Sequence, residues 1–395
     1  MNNYILKSDS QLFIENNLNS NISKLILKGS PFPNITIQEL ANQIIAKKKS
    51  EKKLPTWHTT ANVYYPPKLS IEQTSSELTA KYKSEIISGK TIIDITGGFG
   101  VDALYFSRNF ESVFHCEINK ELSKIVAYNY DLMKIKNINC FASNGIDYLK
   151  ENNSFFDCIY IDPSRRNDLK GKVFLLEDCL PNVPNHLDFL FTKTNKILVK
   201  VSPVLDIKST ISELKNVKQV HIVAVDNEVK ELLFLLEKNF AKEIQLITTN
   251  IKSKKRTNDI FSFFKTNKKN EVTYSLPMKY LYEPNAAIMK SGGFDEISIA
   301  YDLNKLHKHS HLYTSNKVVE FPGRIFEVEQ IIPYNKKKIT RIVPSKKANI
   351  TVRNFPKTVA QIRKETKIAE GGDVYIFCTK LKNESKVLII NKKIN

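Results

Sequence analysis

TIIDITGGFGVDALYF, residues 91–106, runs apolar through Ile92 and Ile93 to an acid, Asp94, and turns through three glycines within four residues. It re-enters an apolar pattern at Val101. A short β-branched run, a glycine turn and a second apolar pattern read as strand, loop and helix. In open α/β sheets, ligands sit beyond the carboxyl ends of the strands, and glycines there let the backbone approach them closely. The spacing is GGxG rather than the GxGxxG of dinucleotide sites, and no GK[ST] follows, which excludes a P-loop. Asp94 narrows the ligand further. A carboxylate within a few ångströms of a pyrophosphate is repelled by about 1 kcal/mol or more. A cation that lacks phosphate resolves the conflict.

Downstream, SVFHCEIN, INCFAS, DCIYID, KILVKV and VHIVAV are further β-branched or aromatic runs. Between the second and third strands, NKELSKIVAYNYDLM carries Leu122, Ile125, Val126, Leu132 and Met133 on one helical face, with Asn119 as its cap. Alternating strands and helices predict an α/β, Rossmann-like fold with a buried parallel sheet. VKELLFLLEK reads as the antiparallel partner of VHIVAV across an Asp226-Asn227 turn. Glu117 closes the second strand 23 residues after Asp94, near the roughly 20-residue spacing of a ribose-binding acid. S-adenosylmethionine carries an ammonium and a sulfonium and no phosphate. The expected contacts are Asp94 at its methionine end, Thr96, Gly97, Gly98 and Gly100 along the loop, Glu117 on the ribose, and Asn144 on the adenine amine.

Asp162-Pro163-Ser164-Arg165-Arg166 follows the apolar strand CIYI. Methyl transfer is an in-line displacement on a sulfonium, so the protein mainly positions the nucleophile and accepts a proton. Asp162 is the candidate acceptor and Pro163 stiffens its turn. Only eight of the 60 basic residues are arginine, and two stand side by side here. Planar, bidentate recognition of phosphate or carboxylate is what lysine does not supply, which marks Arg165 for the active site and Arg166 for an RNA phosphate. Lys200-Val201-Ser202-Pro203 ends the fifth strand and is placed to line the substrate cleft. Asn227, Glu228, Lys230 and Glu231 read as a local ion-pair set on a solvated surface.

DITGGFGVD, CEIN and DCIYIDPSRR together resemble the signature segments of the class I S-adenosylmethionine-dependent methyltransferases, over about residues 75–240. SSELTA upstream is similar to the T-P-E segment of the cap trimethylguanosine synthase group, which implies a cofactor contact for Glu77. Enzymes of the class that act on exocyclic base amines carry [DNS]-P-P-[aromatic], the aromatic stacking on the base. Ser164 and Arg165 depart from that pattern, which leaves ring nitrogens, ribose or a non-nucleic substrate open. YLYEPNAAIMKSGGF and the basic tail resemble bacterial methyltransferases with a ferredoxin-like insert and a THUMP-like C-terminal domain. THUMP domains bind RNA, so the resemblance implies a tRNA or rRNA substrate.

Four regions are expected: a helical region over 1–88, the cofactor-binding sheet over 89–264, a ferredoxin-like insert over 265–317 and a basic THUMP-like α+β module over 318–395. The net charge of +19 suits an anionic partner, although an AT-rich genome also favours lysine. In the tail, Lys336, Lys337, Lys338, Arg341, Lys346, Lys347, Arg353 and Lys357 are the candidate phosphate-tracking residues. Trp57, the only tryptophan, reads as a packing anchor. Five scattered cysteines without CxxC suit reduced thiols in a cytoplasmic protein, and no metal site is expected. No run of 18 apolar residues predicts a membrane span, and no basic-apolar-small signal opens the chain. Two other readings remain: a methyltransferase of proteins or small molecules, and an RNA-binding protein with a degenerate cofactor fold.

Overall fold

The computed structural model describes residues 1–165, 175–255, 257–265 and 271–394. It divides into two compact units, the first comprising Met1–Val220 with Lys230–Lys242 and the second His221–Val229 with Glu243–Asn395.

The first unit opens with helices. The helix Ile37–Lys53 (α1) starts in a capping box: Thr36 Oγ1 accepts the Glu39 N–H at 3.2 Å, and the Glu39 carboxylate accepts the Thr36 N–H at 2.8 Å. Glu77–Ile86 (α2) follows, capped by Ser76. The sheet is then built from Thr91–Asp94 (β1), Ser112–Cys116 (β2), Ile138–Phe141 (β3), Cys158–Ile161 (β4), Lys196–Val201 (β5), the first residues of Val217–Val225 (β6) and the main part of Glu228–Glu237 (β7). Its order is β3-β2-β1-β4-β5-β7-β6, with β7 antiparallel to β5 and β1 through β5 parallel. The order reverses between β1 and β4, where a doubly wound sheet opens its ligand crevice. Ile92, Ile93, Ile159, Ile161, Leu198 and Val199 are buried, as strands covered on both faces require. Val101–Phe106 (α3) follows the glycine loop, and Lys120–Leu132 (α4) is capped by Asn119, whose side chain accepts the Glu121 and Leu122 N–H groups.

The extended segment Val63–Tyr65 ties the helical region to the sheet. Gln43 of α1 accepts from Tyr65 N–H and donates to its carbonyl, at 2.9 and 2.7 Å. Asn129 of α4 does the same for Tyr64, at 3.0 and 2.9 Å. Trp57 is buried with its ring centroid 5.8 Å from that of Phe99 in the glycine loop, so it acts as the anchor its composition suggested.

In the second unit, Asp226 and Asn227 both have positive φ, 49° and 68°. That is the backbone a two-residue I′ hairpin turn needs, and Asx residues tolerate it. The turn expected from the sequence is present. The remainder of β6 pairs with Gln245–Lys252 (β8), which pairs antiparallel with Thr257–Phe264 (β9). Tyr280–Pro284 (β10), Asn304–Lys305 (β11), Tyr313–Ser315 (β12), Gly323–Pro333 (β13), Asn349–Arg353 (β14), Val374–Lys380 (β15) and Lys386–Lys393 (β16) form a second sheet. Its order is β11-β12-β10-β13-β16-β15-β14. Its one parallel pair, β14 and β15, is joined through the helix Val359–Thr366. The run 279–298 holds strand β10 followed by helices Ala286–Ser291 and Phe294–Ala300. Tyr282 and Tyr313 head one apolar cluster, Phe326 and Phe377 a second, and Ile376 and Leu388 a third. No helix among the described residues is long and apolar enough to cross a membrane.

Trp57→Ala removes the ring that supports Phe99. It is expected to lower stability by about 3–5 kcal/mol, the usual cost of deleting a buried aromatic side chain, measured by denaturant unfolding.

Candidate active site

The glycine loop between β1 and α3 walls a cavity of about 490 Å³, formed wholly by the first unit. Asp94, Thr96, Gly97, Gly98, Glu117, Asn144 and Asp162 all line it. Two glycines are required for different reasons. At Gly97 a Cβ would lie 2.4 Å from the His115 ring and 2.8 Å from the Cys116 carbonyl, so loop and β2 can touch only without a side chain. At Gly100 φ is +77°, and a Cβ would lie 2.1 Å from the Tyr130 hydroxyl. That hydroxyl donates to the Gly100 carbonyl at 2.6 Å. Gly100 therefore shapes the entry to α3.

Thr96 joins the two strand ends flanking the crevice. Its N–H and hydroxyl donate to Asp94 Oδ1 at 2.9 and 3.1 Å, and its hydroxyl accepts the Asp162 N–H at 2.7 Å. Burial pushes the Asp94 carboxyl well above the usual range; Asp102 and Asp162 push the same way, and the Thr96 bonds offset only part. At Glu117, Oε2 accepts from Gly98 N–H at 2.9 Å and Oε1 from Asn119 N–H at 2.7 Å. Burial raises its carboxyl, and these two bonds oppose the rise. Each oxygen keeps a second lone pair, enough to accept a pair of ribose hydroxyls. Asn144 is the cap of the helix Gly145–Glu151, its Oδ1 accepting from Ile146 and Asp147 N–H at 2.9 and 3.3 Å. The carbonyl oxygen expected to read an adenine amine is thus used by the helix, and the amide N–H groups remain as donors.

Behind these residues lies a buried charge network. Lys83 on α2 has no solvent exposure and donates to both oxygens of Glu231, at 2.9 and 2.7 Å, and to Ser75 Oγ at 3.0 Å. Its ammonium also lies 3.2 Å from Asp102 Oδ1. Asp102 Oδ2 accepts from Ser75 and from the Tyr160 hydroxyl, each at 2.8 Å. Burial works against the Asp102 charge, but Lys83 and Lys200 outweigh it and hold the carboxyl below its ordinary range. At the end of β4, the Lys200 ammonium is bonded directly to Asp162 Oδ2. Ser75, Asp102, Tyr160 and Asp162 all line the cavity.

Several expected roles change. Glu231, read as solvated surface, is buried and paired with Lys83 from 148 residues away. Glu77 is also buried: it accepts from Thr56 N–H and hydroxyl at 2.6 and 2.7 Å and from the Tyr105 hydroxyl at 2.7 Å. It holds the helix Pro55–Thr59 and is not among the cavity-lining residues. Pro163 is not among them either. It leads into Ser164–Arg165, which pairs antiparallel with Cys179–Leu180. Arg166 lies outside the described residues. In the second unit, Arg353 donates to Glu283 Oε1 at 2.9 Å while Arg324 holds Oε2 at 2.7 Å through Nε. Glu283 is buried, so Arg353 is engaged in compensating it. Lys357 is similarly held by Glu365 at 2.7 Å. Lys338, Arg341, Lys346 and Lys347 are exposed, and Lys336 and Lys337 share the helix Lys336–Ile342.

The donor set fits a cationic, phosphate-free nucleoside such as S-adenosylmethionine. Among the described residues no cation compensates the buried Asp94, which favours a positive ligand, and Glu117 offers acceptors for hydroxyls. Glu117→Ala removes charge-assisted bonds of about 1.5–3 kcal/mol, which should weaken S-adenosylmethionine binding roughly tenfold to a hundredfold in calorimetry. Glu77→Ala should instead lower the melting temperature with a smaller effect on affinity. A cation needs Asp94 ionised, so affinity should fall as pH is lowered and binding should release protons. Because the folded-state pKa of Asp94 is raised, ionising it costs folding stability as pH rises above the unfolded value of about 3.9. The ligand offsets that cost, so its thermal stabilisation should grow with pH, and Asp94→Asn should flatten the trend.

Comparison with known proteins agrees with this geometry. Residues 43–222 match the family described as Conserved hypothetical protein 95, residues 280–322 a ferredoxin-like domain, and residues 323–393 a THUMP domain-like module. A crystal structure titled "putative methyltransferase" from Porphyromonas gingivalis W83 is 30% identical, covers 98% of this chain and 97% of its own, and superposes with a TM-score of 0.87. An uncharacterized RNA methyltransferase of Mycoplasma mobile is 33% identical over 84 residues, 21% of this chain. The chain spans only 23% of the length of that relative. With near-complete coverage by the first of these, the sheet order and the acid-lined cavity, the chain belongs to the class I S-adenosylmethionine-dependent methyltransferases that carry a ferredoxin-like and a THUMP-like module.

Proposed function

We propose that this protein transfers the methyl group of S-adenosylmethionine to RNA. The observation that carries the reading is the position of Asp162: it lines the same cavity as Asp94 and Glu117, with Thr96 bonded to both Asp94 and Asp162. S-adenosylmethionine, when bound, supplies an activated methyl on a sulfonium. The chain's own work is orientation and charge. Asp94 and Glu117 hold the two ends of the cofactor, and Asp162 accepts a hydrogen bond from the nucleophile and takes its proton.

Support for RNA comes from the THUMP-like match over 323–393 and from the similarity of 84 residues to an RNA methyltransferase of Mycoplasma mobile. The exposed Lys338, Arg341, Lys346 and Lys347 would track phosphates, with Lys336 and Lys337 beside them in sequence. Arg165 and Arg166 follow Asp162 by three and four residues in the chain, where they would meet an RNA phosphate. The free thiols Cys116, Cys140, Cys158, Cys179 and Cys378 suit the reducing cytoplasm.

Tritiated S-adenosylmethionine offered with total RNA and, separately, with protein extract tests this. Label is expected in RNA and is expected to disappear with Asp162→Ala; label confined to protein would contradict the reading. Replacing Lys346 and Lys347 together by Glu should weaken RNA binding and reduce its salt dependence while leaving cofactor affinity unchanged.

A further inference from the structure

We infer that the short helix Lys68–Gln73, at the rim of the cavity, is an RNA-backbone docking surface on which Lys49, Lys53 and Lys68 meet a phosphate of the strand that carries the methyl acceptor. The inference rests on the RNA reading above and names the surface that brings this substrate to the cavity.

The cavity favours a cation and so works against a polyanion. Asp94, Glu117 and Asp162 all line it, and a phosphate within a few ångströms of an ionised carboxylate is repelled by about 1 kcal/mol or more. An RNA strand therefore needs cations at the mouth. The basic residues of the tail belong to the second unit, whereas the cavity is formed by the first. Within the first unit, lysines gather against one part of the cavity wall.

Ser70 and Gln73 of the helix Lys68–Gln73 line the cavity, as do Thr74 and Ser75 after it. Lys53, the last residue of α1, reaches across to this segment and donates to the carbonyls of Ile71 and Glu72 at 3.0 and 2.8 Å. Lys49, one turn earlier in α1, is bonded to Glu72 Oε1, and the Lys68 ammonium lies 4.0 Å from the same oxygen. Three ammonium groups thus converge where the segment presents one carboxylate. Lys49, Lys68 and Glu72 are exposed, and Lys53 is half-buried. The contrast with Lys83 is direct: that ammonium is met by the two carboxylates of Glu231 and Asp102 and leaves no positive excess. At the rim the excess is positive, and an anion relieves it.

The crowding acts on Lys53. Burial pushes its pKa down to about 8; Lys200, Lys230 and Lys49 push the same way, and Glu72 opposes them. Lys200 on β5 is itself bonded to Asp162, so it contributes its field without having to touch the RNA. Lys230 on β7 is exposed. A phosphate beside Lys53 favours the charged ammonium, so docking takes up protons and affinity falls as pH rises through about 8. Ordinary lysines, with a pKa of about 10.4, do not titrate in that range.

The test uses the full-length protein and total RNA from cells lacking this gene, in filter binding over a range of salt and in labelled methyl transfer. Lys49→Gln with Lys68→Gln removes two ammonium groups and keeps the Lys53 bonds that hold the segment. At about 0.15 M salt it should weaken RNA binding roughly tenfold and lower the slope of log affinity against log salt by about 1–1.5. KM for RNA should rise with it, while calorimetric S-adenosylmethionine affinity stays at the wild-type value and shows a folded cavity. Glu72→Gln, which removes the carboxylate, should tighten RNA binding. Lys53→Arg stays charged throughout, so the decline in affinity between about pH 7 and 9 should flatten. Wild-type affinity and salt slope in Lys49→Gln with Lys68→Gln would overturn the docking surface, and label in RNA would then leave the RNA reading intact. Label confined to protein would overturn both.

Discussion

Lys83 carries its ammonium entirely out of solvent, against Glu231, Asp102 and Ser75. An ion in that position costs several kcal/mol to desolvate, and removing one partner of such a pair typically costs about 3–5 kcal/mol. The requirement that every charge there be met fixes four parts of the chain to one point. These are the helix before β1, the helix after the glycine loop, strand β7, and β4 through the Tyr160 hydroxyl. Ser75, Asp102 and Tyr160 also line the cavity, so the pairing fixes that wall of it. Asp162 and Lys200 repeat the arrangement at the cavity's edge, where part of the charge remains accessible.

The electrostatic consequence is a site that prefers a positive guest. Among the described residues, Asp102, Glu231 and Asp162 have Lys83 and Lys200 as counterions, whereas Asp94 has hydrogen bonds from Thr96 and no cation. That imbalance lifts the Asp94 carboxyl and gives an ammonium or sulfonium something to neutralise. The glycines contribute proximity, and the acids decide charge. A phosphate-bearing nucleotide would meet the same glycines and be repelled by the same acids.

Much of this was legible in the chain because it is local. The strand-turn-helix at 91–106, the acids at strand ends, the Asn119 cap and the Asp226-Asn227 turn all depend on near neighbours. What escaped depends on partners far away in sequence. Nothing near Glu231 announces Lys83; the available hint was an acid opening the apolar run LLFLL, which a solvated residue seldom does. Arg353 drew attention as a rare arginine, yet its partner Glu283 lies 70 residues earlier on another strand. Glu77 sits in a segment similar to a family's cofactor-contacting one, and Thr56 and Tyr105 use its carboxylate. Asn144 stood at the right strand end with its oxygen already engaged as a helix cap.

The most direct test of the account is a crystal structure of the protein with S-adenosylmethionine or its demethylated product. The account predicts the amino-acid end of the ligand beside Asp94, both ribose hydroxyls on Glu117, and the sulfur facing Asp162. A ligand seated elsewhere, or one in this cavity whose ribose and ammonium avoid Glu117 and Asp94, would contradict it.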